Sequence, residues 1–222
     1  MKILVKFASR NRPDKFHIAL NKMKTMANNI NDILFHYTID DDEIELYNVE
    51  TIGGKSNNKI HAVNRDVPES AWDILLVMSD DMICVANGWD DIIRQDMNEI
   101  FSDTDGVLHY NDGKQKENVM TMSIIGREYY KRDMYIYNPQ YQSLWCDVEA
   151  TEVAFMRGKY RYIDKILFEH HHPAWNLCAN DEQYRNSESY WQKDKQVIEN
   201  NRTNNYGIAL TEMKNGFKYQ QL

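Results

Sequence analysis

The chain has 222 residues, 42% of them hydrophobic, and its acidic side chains exceed the basic ones enough to give a formal charge of −8. This length and composition are those of one globular domain with a core of its own. The net charge argues against a broad basic surface for nucleic acid, and no apolar run approaches the roughly 18 residues of a membrane-spanning helix. The three cysteines fit neither a disulfide framework nor a zinc spacing.

The first residues of the sequence are apolar only from Ile3 to Val5 before Lys6 interrupts them, whereas a signal peptide needs an apolar run of about 7–15 residues. We therefore expect a cytoplasmic protein without a transmembrane segment, located in the host cytoplasm if its source is viral. The composition is rich in Asn, Lys and Tyr and poor in Pro and Gly. Such a bias indicates an AT-rich genome, as in some bacteria and bacteriophages.

Buried strands and amphipathic helices alternate in the first half of the chain. Alternation of this kind is typical of a mostly parallel α/β sheet with helices between its strands. In chain order, the apolar patterns predict a strand at 2–8, a helix from Pro13 to about residue 30, strands at 33–39 and 45–51, a helix at 57–66, a strand at 73–78, and a helix at 89–100 that Asn87 can cap.

The second half of the chain is less regular but contains the same two kinds of element. It ends in an Asn-rich stretch that we expect to be a loosely held tail. The predicted elements are strands at 106–110 and 119–124, a helix at 144–156 for which Ser143 is a candidate cap, a strand at 163–172, and a helix from about residue 180 to 197.

Polar residues follow three of the predicted strands, as Ser9 to Pro13, Asp40 to Asp42, and Asp80 with Asp81. Ligands of an open α/β sheet bind beyond the carboxyl ends of its strands, where these groups are expected to lie. Adjacent carboxylates repel one another, and a divalent cation such as Mg²⁺ or Mn²⁺ relieves the repulsion. The Asp80–Asp81 pair therefore predicts a metal site, although such a pair can also begin a turn or cap a helix.

Three consecutive histidines, His170 to His172, form a second candidate for metal binding, next to Glu169 and Pro173. On a strand, His170 and His172 point to the same face, and the proline ends the strand. A single histidine is more often structural than a ligand. Three in a row beside a carboxylate make ligation and a structural role about equally plausible.

Acidic residues also open the predicted helix at 144–156. If Ser143 caps this helix, Asp147 lies in its first turn, where the helix dipole favours the ionised carboxylate and the group can act as a general base. Glu149 lies about 200° further around the helix, so one substrate is not expected to face both. The alternative is an ordinary acidic first turn.

Two further sets of side chains have either a binding or a structural interpretation. Arg10 and Arg12 either neutralise a phosphate from the first loop or are surface charges. Four aromatic residues either stack on a sugar or base or belong to the core, namely Tyr137, Tyr141, Trp145 and Trp175.

Taken in order, these motifs resemble the GT-A class of nucleotide-sugar glycosyltransferases, in particular its family-2-like branch. The resemblance covers about residues 3–190, and its specificity comes from the order and spacing of motifs that are short individually. They are Phe7-Ala8-Ser9-Arg10-Asn11-Arg12-Pro13, Ile39-Asp40-Asp41, His61-Ala62-Val63-Asn64, Ser79-Asp80-Asp81, Gly88-Trp89-Asp90, Cys146-Asp147-Val148-Glu149, Arg157-Gly158 and Glu169-His170-His171-His172-Pro173.

Two positions depart from the pattern of that family. The metal motif reads Ser79-Asp80-Asp81 instead of Asp-x-Asp, which leaves Asp81 as the expected ligand. Cys146 stands where the family usually has Glu, which leaves Asp147 in place without its acidic neighbour.

The resemblance also implies roles for individual residues. Asp147 takes the position of the catalytic base, with Glu149 as a second catalytic candidate. The expected cofactor is Mn²⁺ or Mg²⁺, held by Asp81 together with His172 or His170. The residues implied to bind the donor are Ser9, Arg10, Arg12, Asp40, Asn64 and Asp80.

The fold implied is α/β, with a single GT-A (Rossmann-like) domain at residues 1–199 and a tail at 200–222 that can pack on it. Its central sheet is expected to be mostly parallel and flanked by helices. The activity implied is metal-dependent transfer of a sugar from a nucleotide sugar, in first place a UDP-sugar, to an acceptor hydroxyl, with inversion favoured over retention. A nucleotidyltransferase of related fold and a non-catalytic nucleotide- or sugar-binding module are the alternatives. The acceptor stays open between a glycan and a modified DNA base.

Overall fold

A six-stranded sheet forms the centre of the computed structural model, which describes residues 1–40, 42–50, 52–69 and 71–218. A separate two-stranded sheet lies beside it. The strands are β1 (Ile3–Ala8), β2 (Ile33–Thr38), β3 (Ile74–Met78), β4 (Met82–Cys84), β5 (Val107–Asn111), β6 (Ile124–Gly126), β7 (Tyr160–Ile166) and β8 (Phe168–His170).

The six strands of the central sheet lie in the order β2-β1-β3-β6-β5-β7. Strand β1 is parallel to both β2 and β3, and β5 is parallel to β7. Only β6 runs antiparallel to its two neighbours in this sheet of the described residues. The prediction of an α/β fold with a mostly parallel central sheet is therefore confirmed.

Helices cover both faces of the central sheet. Along β1, Ile3, Val5 and Phe7 face a layer that contains α1 and α4, and Leu4 faces a layer that contains α3, α5, α6 and α8. Because both faces are buried, β1 and β3 are nearly continuous apolar runs. The helices are α1 (Pro13–Met26), α2 (Ile44–Tyr47), α3 (Lys59–Asn64), α4 (Trp89–Ile100), α5 (Arg127–Tyr130), α6 (Cys146–Met156), α7 (Glu182–Ser189) and α8 (Trp191–Thr203).

The small sheet joins the segment that follows β3 to the segment that follows β7. Its strands β4 and β8 pair antiparallel, with Met82 opposite His170. Because β4 begins directly after Asp81, this register brings His170 beside that carboxylate. The prediction of one strand at 163–172 is wrong, since the chain leaves the central sheet and enters the small sheet around Leu167.

The segment 45–51, predicted to be a strand, instead begins with the short helix α2. The helical backbone lets the buried Tyr47 ring pack edge-on against Phe16, at 5.1 Å between ring centroids. Thr51, at the end of the predicted strand, lies outside the described residues.

Two other predicted elements have different limits in the structure. The strand predicted at 119–124 begins only at Ile124, because the Met120 amide donates to the Thr151 hydroxyl at 3.0 Å instead of pairing with another strand. The single helix predicted at 180–197 is two helices, α7 and α8, which meet at Tyr190.

Both predicted N-caps are also wrong. The cap of α4 is Gly88 and not Asn87, and the cap of α6 is Trp145 and not Ser143. Gly88 has a φ of 68°, a left-handed conformation that favours glycine. A Cβ at this position would also come within 2.7 Å of the side-chain amide nitrogen (Nδ2) of Asn28. Trp145 has a φ of 64°, which is unusual for a bulky side chain.

The segment after residue 199 contacts the rest of the molecule. Helix α8 continues past that residue, and the Asn201 amide donates to Glu149 at 2.9 Å. Further on, the Lys214 amide donates to the Met156 carbonyl at 2.8 Å. None of the helices in the described ranges has both the length and the apolarity needed to cross a membrane.

A buried cationic network supports the loop that follows β2. Lys6 is fully buried, and its ammonium group contacts His36 Nδ1 at 3.1 Å and donates to the Arg65 carbonyl at 2.8 Å. The Arg65 guanidinium in turn donates to the carbonyls of Gly53 and Gly54, both at 2.7 Å. Burial and the charge of Arg65 lower the pKa of Lys6 to about 7, and burial and the charge of Lys6 lower the pKa of His36 to about 4.

We expect the His36→Gln variant to flatten the dependence of stability on pH between pH 4 and 6.5. The pKa of His36 is about 4 in the folded state against an ordinary value of 6.5, so in this window the unfolded chain binds more protons and stability falls as the pH is lowered. The complete shift corresponds to about 3 kcal/mol. Urea unfolding at several pH values measures the slope.

Part of that slope will remain in the variant, because His109 is also buried and its pKa is lowered to about 4 as well. A slope identical to that of the wild type would show that the pKa of His36 is not lowered in the folded protein.

Candidate active site

The polar groups that follow β1, β2 and β3 meet at one edge of the central sheet. The Ser9 hydroxyl donates to Asp80 Oδ2 at 2.8 Å, and the Arg12 guanidinium donates to Asp80 Oδ1 at 2.9 Å. The first loop is thus bound directly to the carboxylate that follows β3. Parallel strand ends produce this convergence, as the sequence predicts.

Asp40, at the end of β2, belongs to the same edge and is buried. Its Oδ1 accepts from the Ser56 backbone amide at 3.0 Å, and its Oδ2 accepts from the Arg10 guanidinium at 3.0 Å. Arg10 is half exposed, so this ion pair lies at the mouth of the site. Asp41, the last residue of the motif Ile39-Asp40-Asp41, lies outside the described residues.

Asp81 and His170 face each other across the small sheet. His170 Nε2 lies 3.6 Å from Asp81 Oδ2, and His170 Nδ1 lies 3.7 Å from Asp112 Oδ2. The other oxygen of Asp81 accepts from the Ser79 hydroxyl at 2.5 Å, and the Tyr184 hydroxyl donates to Asp81 Oδ2 at 3.0 Å. The imidazole is therefore placed between two carboxylates.

The two adjacent carboxylates have opposite electrostatic environments. Burial raises the pKa of Asp80, and the neighbouring charge of Asp81 adds to it although Arg12 opposes both. Burial also opposes ionisation of Asp81, but His170 and the Ser79 hydroxyl outweigh it and hold the pKa of Asp81 well below its usual range. Of the two carboxylates, Asp81 is the one whose surroundings favour the ionised form.

His170 has the complementary environment. Burial alone would lower its pKa, but the carboxylates of Asp112 and Asp81 raise it to about 9. The imidazole that the sequence predicts as a metal ligand is thus held between two carboxylates, and it would have to release its proton to bind a metal ion. His170 Nδ1 is buried and has no hydrogen-bond partner within the described part of the chain.

The donor set fits a divalent cation that is only partly bound by protein. Asp81 and His170 offer a carboxylate oxygen and an imidazole nitrogen, which suit Mn²⁺ or Mg²⁺. Among the described residues, no group of three or more His, Cys, Asp or Glu side chains is arranged to hold a metal ion. A cation at this position would need oxygens from water and from a bound phosphate as well.

His172, the other predicted ligand, is oriented differently from His170. Its Nδ1 accepts from the Ala174 backbone amide at 3.2 Å, and its ring packs edge-on against Tyr184 with 4.8 Å between centroids. Of the two histidines, His170 is the one beside Asp81.

Asp147 lies in the first turn of α6, and its Oδ1 accepts from the Val148 amide at 2.9 Å. Burial raises the pKa of Asp147, against the opposing charges of Lys59 and His170. A carboxylate with a raised pKa is a better proton acceptor near neutral pH than an ordinary one. Both the position and the electrostatics of Asp147 therefore suit a general base.

Glu149 and Asn64, two other predicted site residues, form hydrogen bonds with other residues of the fold. The Glu149 carboxylate accepts from the Tyr141 hydroxyl at 2.6 Å and from the Asn201 amide at 2.9 Å. The Asn64 side chain accepts from the Tyr137 amide at 3.0 Å and donates to the Tyr137 carbonyl at 2.6 Å. The structure does not join either side chain to the cluster at the strand ends.

Helix α7 closes one side of the site through contacts that the sequence does not reveal. Asp181 caps this helix and binds the Arg12 guanidinium, with Oδ2 accepting from Nε at 3.0 Å. The Lys15 ammonium group donates to the same oxygen at 2.8 Å. The Arg12 guanidinium also lies over the Tyr184 ring, 4.0 Å from its centroid. An Asp before a helix signals a cap, but nothing in the sequence identifies its distant partner.

The loop before α6 is held by another residue that sequence reasoning missed. Asp194 of α8 is fully buried, and its carboxylate accepts from the backbone amides of Gln142, Ser143 and Leu144 at 2.8–3.0 Å. These amides immediately precede the helix that carries Asp147. Asp194 therefore fixes the start of α6 relative to α8.

No protein-family model and no curated protein matches the chain. Solved structures do match it. A mannosyltransferase from Pyrobaculum calidifontis, in complex with GDP-Man and Mn²⁺, is 11% identical with a TM-score of 0.55 over 74% of this chain and 55% of its own. TarS of S. aureus in complex with UDP is 14% identical with a TM-score of 0.52 over 76% and 60%. The chain has a GT-A glycosyltransferase fold.

A third structure with this GT-A fold is glucosyl-3-phosphoglycerate synthase from Mycobacterium tuberculosis in complex with Mg²⁺ and UDP. It is 11% identical, with a TM-score of 0.55 over 77% of this chain and 72% of its own. The chain spans less than two thirds of the length of the mannosyltransferase and of TarS. At these identities the similarity establishes the GT-A fold.

We expect the Asp181→Asn variant to loosen α7 without unfolding the protein. The amide oxygen of Asn can still cap the helix. The substitution removes the negative charge of the Asp181 carboxylate, which forms ion pairs with Arg12 and Lys15. Since these groups are partly exposed, we expect amide hydrogen exchange in α7 to accelerate only about threefold to tenfold.

Mass-spectrometric hydrogen exchange measures this change, and Lys15→Ala is the control because it removes only one of the two cations. Its effect should be smaller than that of Asp181→Asn. Unchanged exchange in Asp181→Asn would mean that the ion pairs do not hold the helix.

Proposed function

We propose that the chain is a metal-dependent glycosyltransferase that moves a sugar from a nucleoside-diphosphate sugar to an acceptor hydroxyl. The observation that carries the proposal is the pair of Asp81 and His170, 3.6 Å apart at the end of β3, with Asp147 near enough for the charge of His170 to act on it. The fold supports it, because its structural neighbours include glycosyltransferases in complex with GDP-Man and Mn²⁺ or with UDP and Mg²⁺.

The donor nucleotide, in first place UDP, is assigned to the edge formed by the first loop and the end of β2. Asp40 has two donors on its carboxylate and, as an ionised group, can accept more from a base or ribose. Ser9 and Arg12 hold Asp80 at the inner side of this edge, and Arg10 lies at its mouth.

Asp81 and His170 would hold Mn²⁺ or Mg²⁺ against the diphosphate. When bound, the cation would neutralise the negative charge that develops on the leaving nucleoside diphosphate. Asp81 is suited to this role because it stays ionised, and its two oxygens are oriented by the hydroxyls of Ser79 and Tyr184. Lys59, exposed at the start of α3, is near enough for its charge to act on both Asp81 and Asp147.

Asp147 would take the proton of the acceptor hydroxyl as its oxygen attacks the anomeric carbon. A base on the side opposite the leaving group gives inversion at that carbon. Residues 1–199 contain all of these groups. Three free cysteines, two of them buried, are compatible with the reducing cytoplasm as the place of the reaction.

The first test is calorimetric binding of Mn²⁺ with and without UDP or GDP. Because only two protein ligands face each other, we expect weak binding of Mn²⁺ alone and tighter binding once a nucleoside diphosphate is present. Asp81→Asn should weaken the nucleotide-dependent binding about tenfold or more, whereas Asp103→Asn, in an exposed turn after α4, should not. Failure of every nucleotide to bind would end the donor assignment.

The second test is the Asp147→Asn variant. Removing a general base is expected to slow sugar transfer by about 10²–10⁴-fold, while binding of Mn²⁺ and UDP stays near the wild-type level. Transfer or donor hydrolysis is followed by release of UDP, and NMR of the product gives its anomeric configuration.

Asp133→Asn is the matched control, because Asp133 binds Arg157 at the far end of the same helix at 2.8 Å. Full transfer by Asp147→Asn would assign the base elsewhere. Metal-dependent nucleotide binding by the wild type without any turnover would favour the non-catalytic binding module.

A further inference from the structure

Asp112 is a buried carboxylate at the same edge of the sheet as Asp81. It directly follows β5, which runs in the same direction as β3 because both strands are antiparallel to β6. Only 2% of Asp112 is exposed. A carboxylate removed from water to this extent needs hydrogen-bond donors or a counter-charge, and the neighbours of Asp112 show what it holds in place.

The loop that follows β5 surrounds the Asp112 carboxylate with donors. Oδ1 accepts from the backbone amides of Lys114 and Gln115 at 2.8 and 2.7 Å, and from that of Lys116 at 3.3 Å. Oδ2 accepts from the Thr121 hydroxyl at 2.9 Å. Donors of this number favour the ionised carboxylate, and they fix Oδ1 toward the loop.

The remaining oxygen, Oδ2, is the one that faces His170. It lies 3.7 Å from Nδ1 of the imidazole, while Nε2 of the same ring lies 3.6 Å from Asp81 Oδ2. The backbone supports this placement on both sides, because the His170 amide donates to the Asp112 carbonyl at 3.2 Å and the His171 amide donates to the Asp81 carbonyl at 2.8 Å. Each ring nitrogen of His170 is therefore directed at a different carboxylate.

The two nitrogens of an imidazole that binds a metal ion have different tasks. One provides the lone pair, and the other keeps its proton and donates it to a carboxylate, a carbonyl or water. His170 Nδ1 is buried and lacks a hydrogen-bond partner in the ranges that the structure describes. At 3.7 Å it is just beyond hydrogen-bond distance from Asp112 Oδ2, so a small shift of the ring would form that bond.

We propose that Asp112 is a positioning residue for the metal site, which accepts from His170 Nδ1 and so leaves the lone pair of Nε2 directed toward Asp81. The inference rests on the proposed function, in which Asp81 and His170 hold the cation. Asp112 acts through the imidazole, because its own oxygens are occupied by the loop amides and the Thr121 hydroxyl.

The alternative is that Asp112 only stabilises the loop after β5, and the Asp112→Asn variant separates the two roles. The backbone amides of the loop need an acceptor, so the oxygen of the new carboxamide stays with them and its NH₂ group faces His170. Because an NH₂ group donates, Nδ1 would have to accept, and the ring proton would then lie on Nε2, where it blocks a cation. The backbone bonds of the loop are kept.

The first measurement needs no variant of Asp112. Ring ¹⁵N–¹H correlation spectra of the protein labelled at its histidines, recorded with Mg²⁺ and UDP, show which nitrogen of each imidazole carries a proton. The His170→Gln variant identifies the His170 signals by their loss. We expect His170 to carry its proton on Nδ1 alone, and a proton on Nε2 in this complex would overturn the inference.

The second measurement is calorimetric titration with Mn²⁺ in the presence of UDP. Asp112→Asn should weaken binding of Mn²⁺ by about 10–100-fold and move the His170 proton to Nε2. Two control variants should bind Mn²⁺ as the wild type does. Thr121→Val removes a donor from the same carboxylate but keeps its charge, and Asp164→Asn removes a negative charge that accepts from the adjacent Asn111 side chain at 2.7 Å.

The possible failures are distinguishable. Wild-type affinity in Asp112→Asn, or an equal loss in Asp164→Asn, would overturn the role of Asp112 while the proposed function stands. If the wild type binds no Mn²⁺ with either UDP or GDP, the proposed function fails and the role of Asp112 fails with it. Thermal denaturation of each variant reports whether its fold is intact, and the spectra of the wild type decide the matter if Asp112→Asn does not fold.

Discussion

Two adjacent carboxylates, Asp80 and Asp81, are buried at the end of β3, and their repulsion has to be balanced by charges from other parts of the chain. Arg12 supplies one cation from the loop after β1, and His170 supplies another from β8. The two residues come from distant parts of the chain, since Arg12 lies between β1 and α1 and His170 lies in β8. The electrostatic requirement of one dipeptide thus determines which segments must meet at this edge of the sheet.

The small sheet and α7 follow from that requirement. Pairing of β4 with β8 puts His170 opposite Met82, one residue after Asp81, so hydrogen bonds of the backbone fix the distance between imidazole and carboxylate. Helix α7 contributes in two ways, because Tyr184 donates to Asp81 and Asp181 shares the Arg12 guanidinium with Asp80. The site is consequently closed by the C-terminal part of the domain.

The sequence predicted what depends on local pattern and on sheet topology. Continuous apolar runs identified β1 and β3, because strands buried on both faces carry that pattern. The edge strand β2 was identified by a largely apolar run although Leu34 is exposed. The polar groups after these three strands had to meet at one edge. The helical angle of about 200° predicts that Asp147 and Glu149 do not face one substrate, and in the structure the two side chains have different hydrogen-bond partners.

What the sequence could not show are contacts between distant segments. Asp181 lies 169 residues from Arg12, and Asp194 lies about 50 residues from the amides that it binds. Both are acidic residues of polar helices, and such residues are usually solvated. The burial of Asp194 and the partners of both residues depend on how α7 and α8 pack. The unusual backbone of Trp145 was hidden for the same reason, since Ser143 is the better cap by propensity.

A nucleoside-diphosphate donor, as proposed, is a polyanion, and the arrangement of charges at the site explains how an acidic chain could bind it. The Arg12 guanidinium is already bound by Asp80 and Asp181, so little of its charge remains for a diphosphate. His170 is likewise placed between Asp81 and Asp112. The protein's cations near the strand ends are thus largely used to stabilise its own carboxylates, with Lys59 left exposed. A divalent cation that shares its ligands between Asp81, His170 and the diphosphate would supply the missing positive charge, so binding of metal and nucleotide would be mutually dependent.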